Sequence, residues 1–164
     1  MTEILYPTEE TPETVQETPT QDETPTTPTA TSAINLAIES VMGLIDEMGL
    51  FSAIKRGALG TGDGLSCEIA PSIPEAVFYD KNSYIPLTLA LNGKHSDLLT
   101  LSDALNGIID TLTRRTSYPN GNGWEIVDIV AGNLPRIIDR ENNNVWLMAC
   151  DLVIKIYRKD DEQE

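Results

Sequence analysis

Side chains that could do chemistry are few and scattered along this chain. The one histidine, His95, stands beside Lys94 just before a helix start, where a histidine is more often a turn or cap residue than a general base. Cys67 and Cys150 are 83 positions apart in apolar strand patterns, which predicts small buried side chains, not a zinc site or a disulfide framework. No Gly-x-Ser-x-Gly, His-Glu-x-x-His or Cys-x-x-Cys motif occurs. We therefore expect no enzyme activity, no cofactor and no metal site.

A glycine-rich segment, GALGTGDG at residues 57–64, is the first candidate for binding. It is not a P-loop, because the terminal Gly-Lys-Ser/Thr is missing and a helix precedes it where a strand should stand. Four glycines in eight residues predict a mobile loop that orders when a neighbouring chain arrives. Gly60, Gly62, Asp63 and Gly64 are therefore predicted interface residues.

Three further residues are candidates for contact with another chain. Trp124 and Trp146 each stand at the start of a predicted strand, where packing in the core is a more common role than contact with another chain. Trp124 is nevertheless one of the predicted interface residues. Glu141 and Asn143 belong to the predicted tip of a hairpin. Aspartates are scattered among predicted caps, turns and exposed strand faces, so no carboxylate pocket is indicated.

Charge is concentrated at the two ends of the chain. The formal net charge is -15, with 26 acids and 11 bases. Residues 1–32 carry seven acids and no base, and residues 160–164 carry four acids. Removing these 11 acids leaves 15 acids against 11 bases in residues 33–159. The intact chain should be repelled by nucleic acid and anionic membranes, while its central part is nearly balanced.

Composition divides the chain into a disordered arm (1–32), one domain (33–159) and a short acidic tail (160–164). Residues 7–31 are mostly Thr, Pro and Glu and have little to bury, which predicts disorder. The arm is either a solvated extension without a role or a tether that orders with a partner. Its apolar start, Ile4-Leu5-Tyr6, is the part that could dock. No apolar window long enough for a membrane span and no secretory leader pattern is seen, so no membrane contact is expected.

Two amphipathic helices must position these residues. Apolar residues at helical spacing predict a first helix at about 33–48, with Ser32 as N-cap and Gly49 as C-cap. A second stripe predicts a helix in which Thr100 and Asp103 form a capping box. Its apolar face comprises Leu98, Leu101, Leu105, Ile108, Ile109 and Leu112.

Alternating apolar residues predict strands at 65–69, 84–91 and 145–157, and richness in β-formers predicts a strand at 124–131. Ile137-Ile138 begin a hairpin whose tip is 141–144. Pro86 predicts that its strand lies at a sheet edge or that the proline lies in the first turn. The sequence thus predicts an α+β fold: an antiparallel sheet of about five strands with two helices packed on it, in the order α-β-β-α-β-β-β.

From about Leu65 to Lys159 the chain resembles the siphophage tail terminator proteins, also called phage minor capsid proteins in Gram-positive prophages. The resemblance spans roughly 95 of the 164 residues and rests on the order and spacing of loose motifs. These are Tyr79-Asp80-Lys81, Leu91-Asn92-Gly93-Lys94-His95, Asp103-Ala-Leu105-Asn106-Gly-Ile-Ile, Tyr118-Pro119, Trp124-Glu-Ile126, and Arg140-Glu141 followed by Trp146. The Thr/Pro/Glu arm is not part of this pattern.

The resemblance implies a structural role in a virion tail or neck, with assembly in the host cytoplasm. Copies of the chain would close into a ring, six-fold by the resemblance, at the end of the tail tube. The ring would stop tube polymerisation and join the tail to the head connector or stopper protein. The implied partners are the chain itself, the tail tube protein and the connector, with DNA passing through the lumen without specific binding.

Two other interpretations stay open on the sequence. The chain could be a different neck component, such as a stopper or head-completion protein, which would bind the connector or portal instead of the tube. It could also be an acidic DNA mimic that inhibits a nucleic-acid-binding protein. The total charge favours a mimic, but 11 of the 26 acids lie in the two ends, so the placement of charge does not.

Overall fold

The computed structural model describes residues 32–72, 82–141 and 144–159, together with the backbone of 76–77. Residues 1–31 and 160–164, which hold nearly all of the predicted arm and the predicted acidic tail, lie outside these residues. The described elements, in chain order, are α1 (Ala33–Asp46), β1 (Ile54–Arg56), β2 (Gly64–Ala70), β3 (Ala76–Val77), β4 (Ser83–His95), α2 (Leu98–Thr113), β5 (Asn120–Gly121), β6 (Trp124–Glu141) and β7 (Val145–Arg158).

The α+β class predicted from the sequence is confirmed. The described strands form one sheet in the order β1-β2-β4-β7-β6-β5, with β3 pairing on β4. The sheet is mixed, not purely antiparallel, because β1 pairs parallel with β2. The predicted order lacked β1, β3 and β5, whose two or three residues are too few to show alternation. The strands predicted at 124–131 and 137–138 are parts of one strand, β6.

Both helices begin at capped ends and pack one apolar face on the sheet. Ser32 caps α1 as predicted, its hydroxyl accepting from the Asn35 amide at 3.3 Å. The predicted capping box of α2 is wrong: Asp97 is the N-cap and accepts from the amides of Leu99 and Thr100. Neither described helix is long and apolar enough to cross a membrane.

The core lies between the helices and one face of the central strand pair, β4 and β7. These strands pair over thirteen positions, from Ser83 opposite Arg158 to His95 opposite Trp146. Odd-numbered residues of β4 and even-numbered residues of β7 therefore share the face that the helices cover. The side chains buried there with under 2% exposure include Ile38, Ile45, Leu89, Leu91, Leu101, Leu105, Ile108, Leu112, Ile129, Leu152, Ile154 and Ile156.

The prediction that Pro86 lies at a sheet edge or in the first turn of its strand is wrong. Pro86 is the fourth residue of β4, which has β7 on one side and β2 and β3 on the other. Pairing with β2 ends at Thr88, and the Thr88 amide on that side donates to Ser72 Oγ at 2.7 Å. Backbone groups two residues apart point to the same side of a strand, so the Pro86 nitrogen faces the position just beyond β2. A central strand tolerates proline here because no ladder hydrogen bond is lost.

Candidate interaction surface

The glycine-rich segment connects β1 to β2, and its first residue has a positive φ. Gly57 has φ of 101° and its amide donates to the Cys67 carbonyl at 2.9 Å. The following residues wall a shallow cavity of about 250 Å³, together with Ser52 and Lys55. The predicted interface residues Gly60, Gly62, Asp63 and Gly64 all lie along this cavity. The structure thus brings four of the seven predicted interface residues together on one loop.

Asp63 connects this loop to the junction between β4 and α2. Its Oδ2 lies 3.6 Å from His95 Nε2. The other ring nitrogen, Nδ1, accepts a hydrogen bond from the Asp97 amide at 2.9 Å, and the Phe51 ring packs edge-on with centroids 4.7 Å apart. The pKa of the Asp97 carboxyl lies below its ordinary value, and the largest cause is the hydrogen bond that it accepts from the Thr100 hydroxyl. Both ring nitrogens of His95 face protein groups, and the residue ends strand β4 opposite Trp146, so it is not the turn or cap residue that the sequence favoured.

Trp124 lies in the core. Its side chain is 6% exposed, and a Cβ built on Gly121 would come within 2.5 Å of its indole Nε1. Glycine is thus needed where the short strand β5 crosses the indole. Core packing, the favoured role for Trp124 in the sequence analysis, fits this position. The ring is not exposed for contact with another chain.

The distal end of β6 carries the predicted residue Glu141, whereas Asn143 lies outside the described residues. Lys94 Nζ lies 2.8 Å from Glu141 Oε2 and donates a hydrogen bond to Oε1 at 2.9 Å, across the intervening strand β7. Nearby, the Arg140 guanidinium stacks over the Trp146 ring at 4.5 Å and donates to Asn144 Oδ1 at 2.7 Å. These contacts join the end of the hairpin to the central strands.

Replacing Glu141 by glutamine should lower the free energy of unfolding by about 1–2 kcal/mol, measured by urea denaturation. Lys94 is buried, and removing its partner leaves an ammonium ion without its anion. The loss should be less than the roughly 3–5 kcal/mol of a fully buried pair, because the Glu141 side chain is 45% exposed.

The matched control for this substitution is Asp110→Asn. It removes the exposed pair between Asp110 and Arg114, at 3.1 Å on α2, and should have little or no effect. Equal losses in the two variants would contradict a stabilising role for the Lys94–Glu141 pair.

The structure also shows an apolar surface on β6 that the sequence analysis missed. Leu134, Ile137 and Ile138 are 69%, 51% and 56% exposed. β5 pairs only with Trp124 and Glu125, so among the described residues no strand covers this edge of β6 from 126 to 141. We call Leu134, Ile137, Ile138 and the backbone beside them the β6 edge.

Irregular pairing explains why sequence periodicity did not reveal the β6 edge. The register of β6 against β7 shifts four times, including between Asn133 and Arg136 and between Ile137 and Asp139. Each bulge adds a residue and reverses the face on which the following side chains lie. Alternation is therefore already broken after Ile126, and it is lost between residues 131 and 139, where the other three shifts follow one another. The remaining signal is the composition of the segment itself, since Leu134, Ile137 and Ile138 stand close together in the sequence.

The sheet face opposite the helices carries paired charges. Lys155 Nζ lies 2.8 Å from Asp128 Oδ2, and Asn133 donates to the Asp151 carboxylate. The Lys94–Glu141 pair lies on the same face by register. Within the described residues no group of three or more His, Cys, Asp or Glu side chains is placed to hold a metal ion.

Comparisons with known proteins give a likeness of fold to solved structures. No family model matches the chain, and no curated protein sequence matches it. Among solved structures, one matching chain belongs to a particle described as "Virion of native gene transfer agent (GTA) particle". It is 12% identical, has a TM-score of 0.49, and the match covers 77% of this chain and 99% of that one. A likeness at this level carries no argument about function.

Proposed function

We propose that this chain is a structural subunit of a phage-like virion, and specifically a tail terminator. Copies would form a ring at the end of the tail tube, stop its polymerisation and join the tail to the head connector. The observation that supports this best is the β6 edge, an apolar strand edge with which no described strand pairs, on a domain whose other described apolar side chains are mostly buried. A lone protein usually shields such an edge, whereas an assembling subunit leaves it for a neighbour.

The two sheet edges differ, which favours a head-to-tail ring. The opposite edge strand, β1, has three residues, and two of them, Lys55 and Arg56, are basic and exposed. The β6 edge is long and apolar. Contacts between unlike surfaces are heterologous, and they generate a ring when the rotation between neighbours closes. The six-fold number and the partners, tail tube protein and connector, come from the sequence resemblance.

The charge pairing on the open sheet face is compatible with DNA passage. Lys94 and Lys155 are each neutralised by a carboxylate within 2.8 Å. Pairing of these two lysines lowers the attraction of this face for phosphates, because non-specific DNA binding needs unneutralised bases. Such a surface would let DNA slide past a ring without sticking.

A measurement of mass and of binding to tubes tests this proposal. We expect light scattering after size exclusion to give a mass of several subunits for the full chain. Negative-stain microscopy with purified tail tubes should show density capping one end of each tube. A chain that stays monomeric at high concentration and leaves tube ends bare would contradict the proposal. Binding to the portal or connector alone would assign the chain to a different neck position.

A further inference from the structure

The β6 edge sets requirements on whatever covers it. The occupant must supply apolar side chains for Leu134, Ile137 and Ile138, and a backbone that can pair with an exposed strand. It can also offer a carboxylate to Arg136, which stands between Leu134 and Ile137. The guanidinium of Arg136 makes no ion pair or hydrogen bond within the described part of the chain, so it is available to an acidic partner.

A second copy of β6 meets these requirements poorly. A second copy of β6 would bring Asp139 and Glu141 as well as its arginines, so it offers Arg136 no net negative charge. The four register shifts also give β6 an uneven edge that a long rigid strand follows badly. A short acidic segment fits better.

The sequence before Ser32 contains one segment of that kind. Residues 2–6, Thr-Glu-Ile-Leu-Tyr, have no proline and include three apolar residues that favour strands. From Pro7 to Pro28 five prolines interrupt the chain, and proline cannot donate to a strand ladder. Residues 1–31 carry seven acids and no base, a charge that complements the arginines of the β6 edge.

We propose that Ile4-Leu5-Tyr6 of one copy docks as a short added strand on the β6 edge of a neighbouring copy. This inference rests on the proposed assembly function and names the occupant of that edge. The segment supplies the apolar side chains, and Glu3 with the acids after Pro7 lies near Arg136 and Arg140.

The length of the intervening chain supports docking on a neighbour. Residues 7–31 are 25 residues, and a chain of that length can span at most about 80–90 Å, at roughly 3.3–3.6 Å per residue. A domain of about 130 residues is only about 36 Å across. The arm is therefore long enough to span to the next subunit of a ring.

Disulfide trapping between two different variants tests the inference. A Leu5→Cys chain is mixed with a Leu134→Cys chain, oxidised gently with copper–phenanthroline, and the mixed dimer is measured on non-reducing gels. The matched control is Leu99→Cys on α2, because Leu99 is 67% exposed and Leu134 is 69% exposed. We expect at least about tenfold more mixed dimer with Leu134→Cys, since docking raises the effective concentration of the two thiols.

The native cysteines should not interfere with this trapping. Both are buried, and burial raises the pKa of the Cys67 thiol and raises that of Cys150 to about 12. Their thiolate fraction near neutral pH is therefore very small, and the thiolate is the reactive form.

Each outcome decides the inference separately from the proposed function. Equal trapping by Leu134→Cys and Leu99→Cys would overturn it, as would a Leu5→Cys/Leu134→Cys double variant that cross-links only within one chain. Multi-subunit mass of the unsubstituted chain, read by light scattering, reports assembly independently, so rings without trapping would refute the docked segment alone.

Hydrogen exchange gives a second measure: amides of residues 129–141 should exchange faster in an Ile4→Asp/Leu5→Asp variant, and unchanged exchange would count against docking.

Discussion

Replacing Leu134 and Ile138 by aspartate is expected to abolish the proposed self-association of the chain. Each side chain is more than half exposed in the single chain and would be buried in an assembled contact. Losing two such burials costs roughly 1.5–3 kcal/mol each, which weakens each contact by at least about a hundredfold. The measurement is subunit mass against concentration, by light scattering or sedimentation.

Folding and placement controls make this result interpretable. The free energy of unfolding should fall by less than about 1 kcal/mol, because both positions are exposed and only strand propensity changes. Leu99→Asp introduces one such charge at a leucine of similar exposure on α2, and it should leave the subunit mass unchanged. If Leu99→Asp dissociated the assembly as effectively, the effect would be one of total charge, and the β6 edge would lose its assigned role.

Replacing Leu105 by alanine should lower the free energy of unfolding by about 2–5 kcal/mol. Leu105 is fully buried on α2 and packs in the core between the helix and the sheet. Alanine favours helix, so the loss would come from the cavity and the lost burial, not from helix propensity. Urea denaturation with unchanged m-value measures it.

Leu99→Ala is the control on the same helix. Leu99 is largely exposed, so its truncation removes little packing and should change the free energy of unfolding only slightly. Comparable losses for the two leucines would mean that the face of α2 assigned to the core is not the one that stabilises the domain.

Some contacts could be recognised only in three dimensions. A Cβ built on Gly93 would lie 2.5 Å from Leu101 Cδ1, so any larger residue where β4 passes under α2 would force the Leu101 side chain to shift. From the sequence alone, Gly93 is predicted to belong to the turn that leads from the strand to the second helix. Lys94 and Glu141, 47 positions apart, form an ion pair because β4, β7 and β6 lie side by side. No local pattern encodes that neighbourhood.

Sequence patterns alone predict the two helices and the strands β2, β4 and β7. The sequence also shows directly that acidic residues are concentrated at the chain ends. Burial on one face imposes a period of 3.6 or 2 on apolar residues, and this period is local, so it can be read along the chain. Tertiary structure decided which strands are neighbours: it put Pro86 inside the sheet, buried Trp124, and left the β6 edge exposed. Edges and neighbours depend on contacts between segments far apart in the chain, and in β6 the bulges also remove the alternation that could have marked the exposed residues.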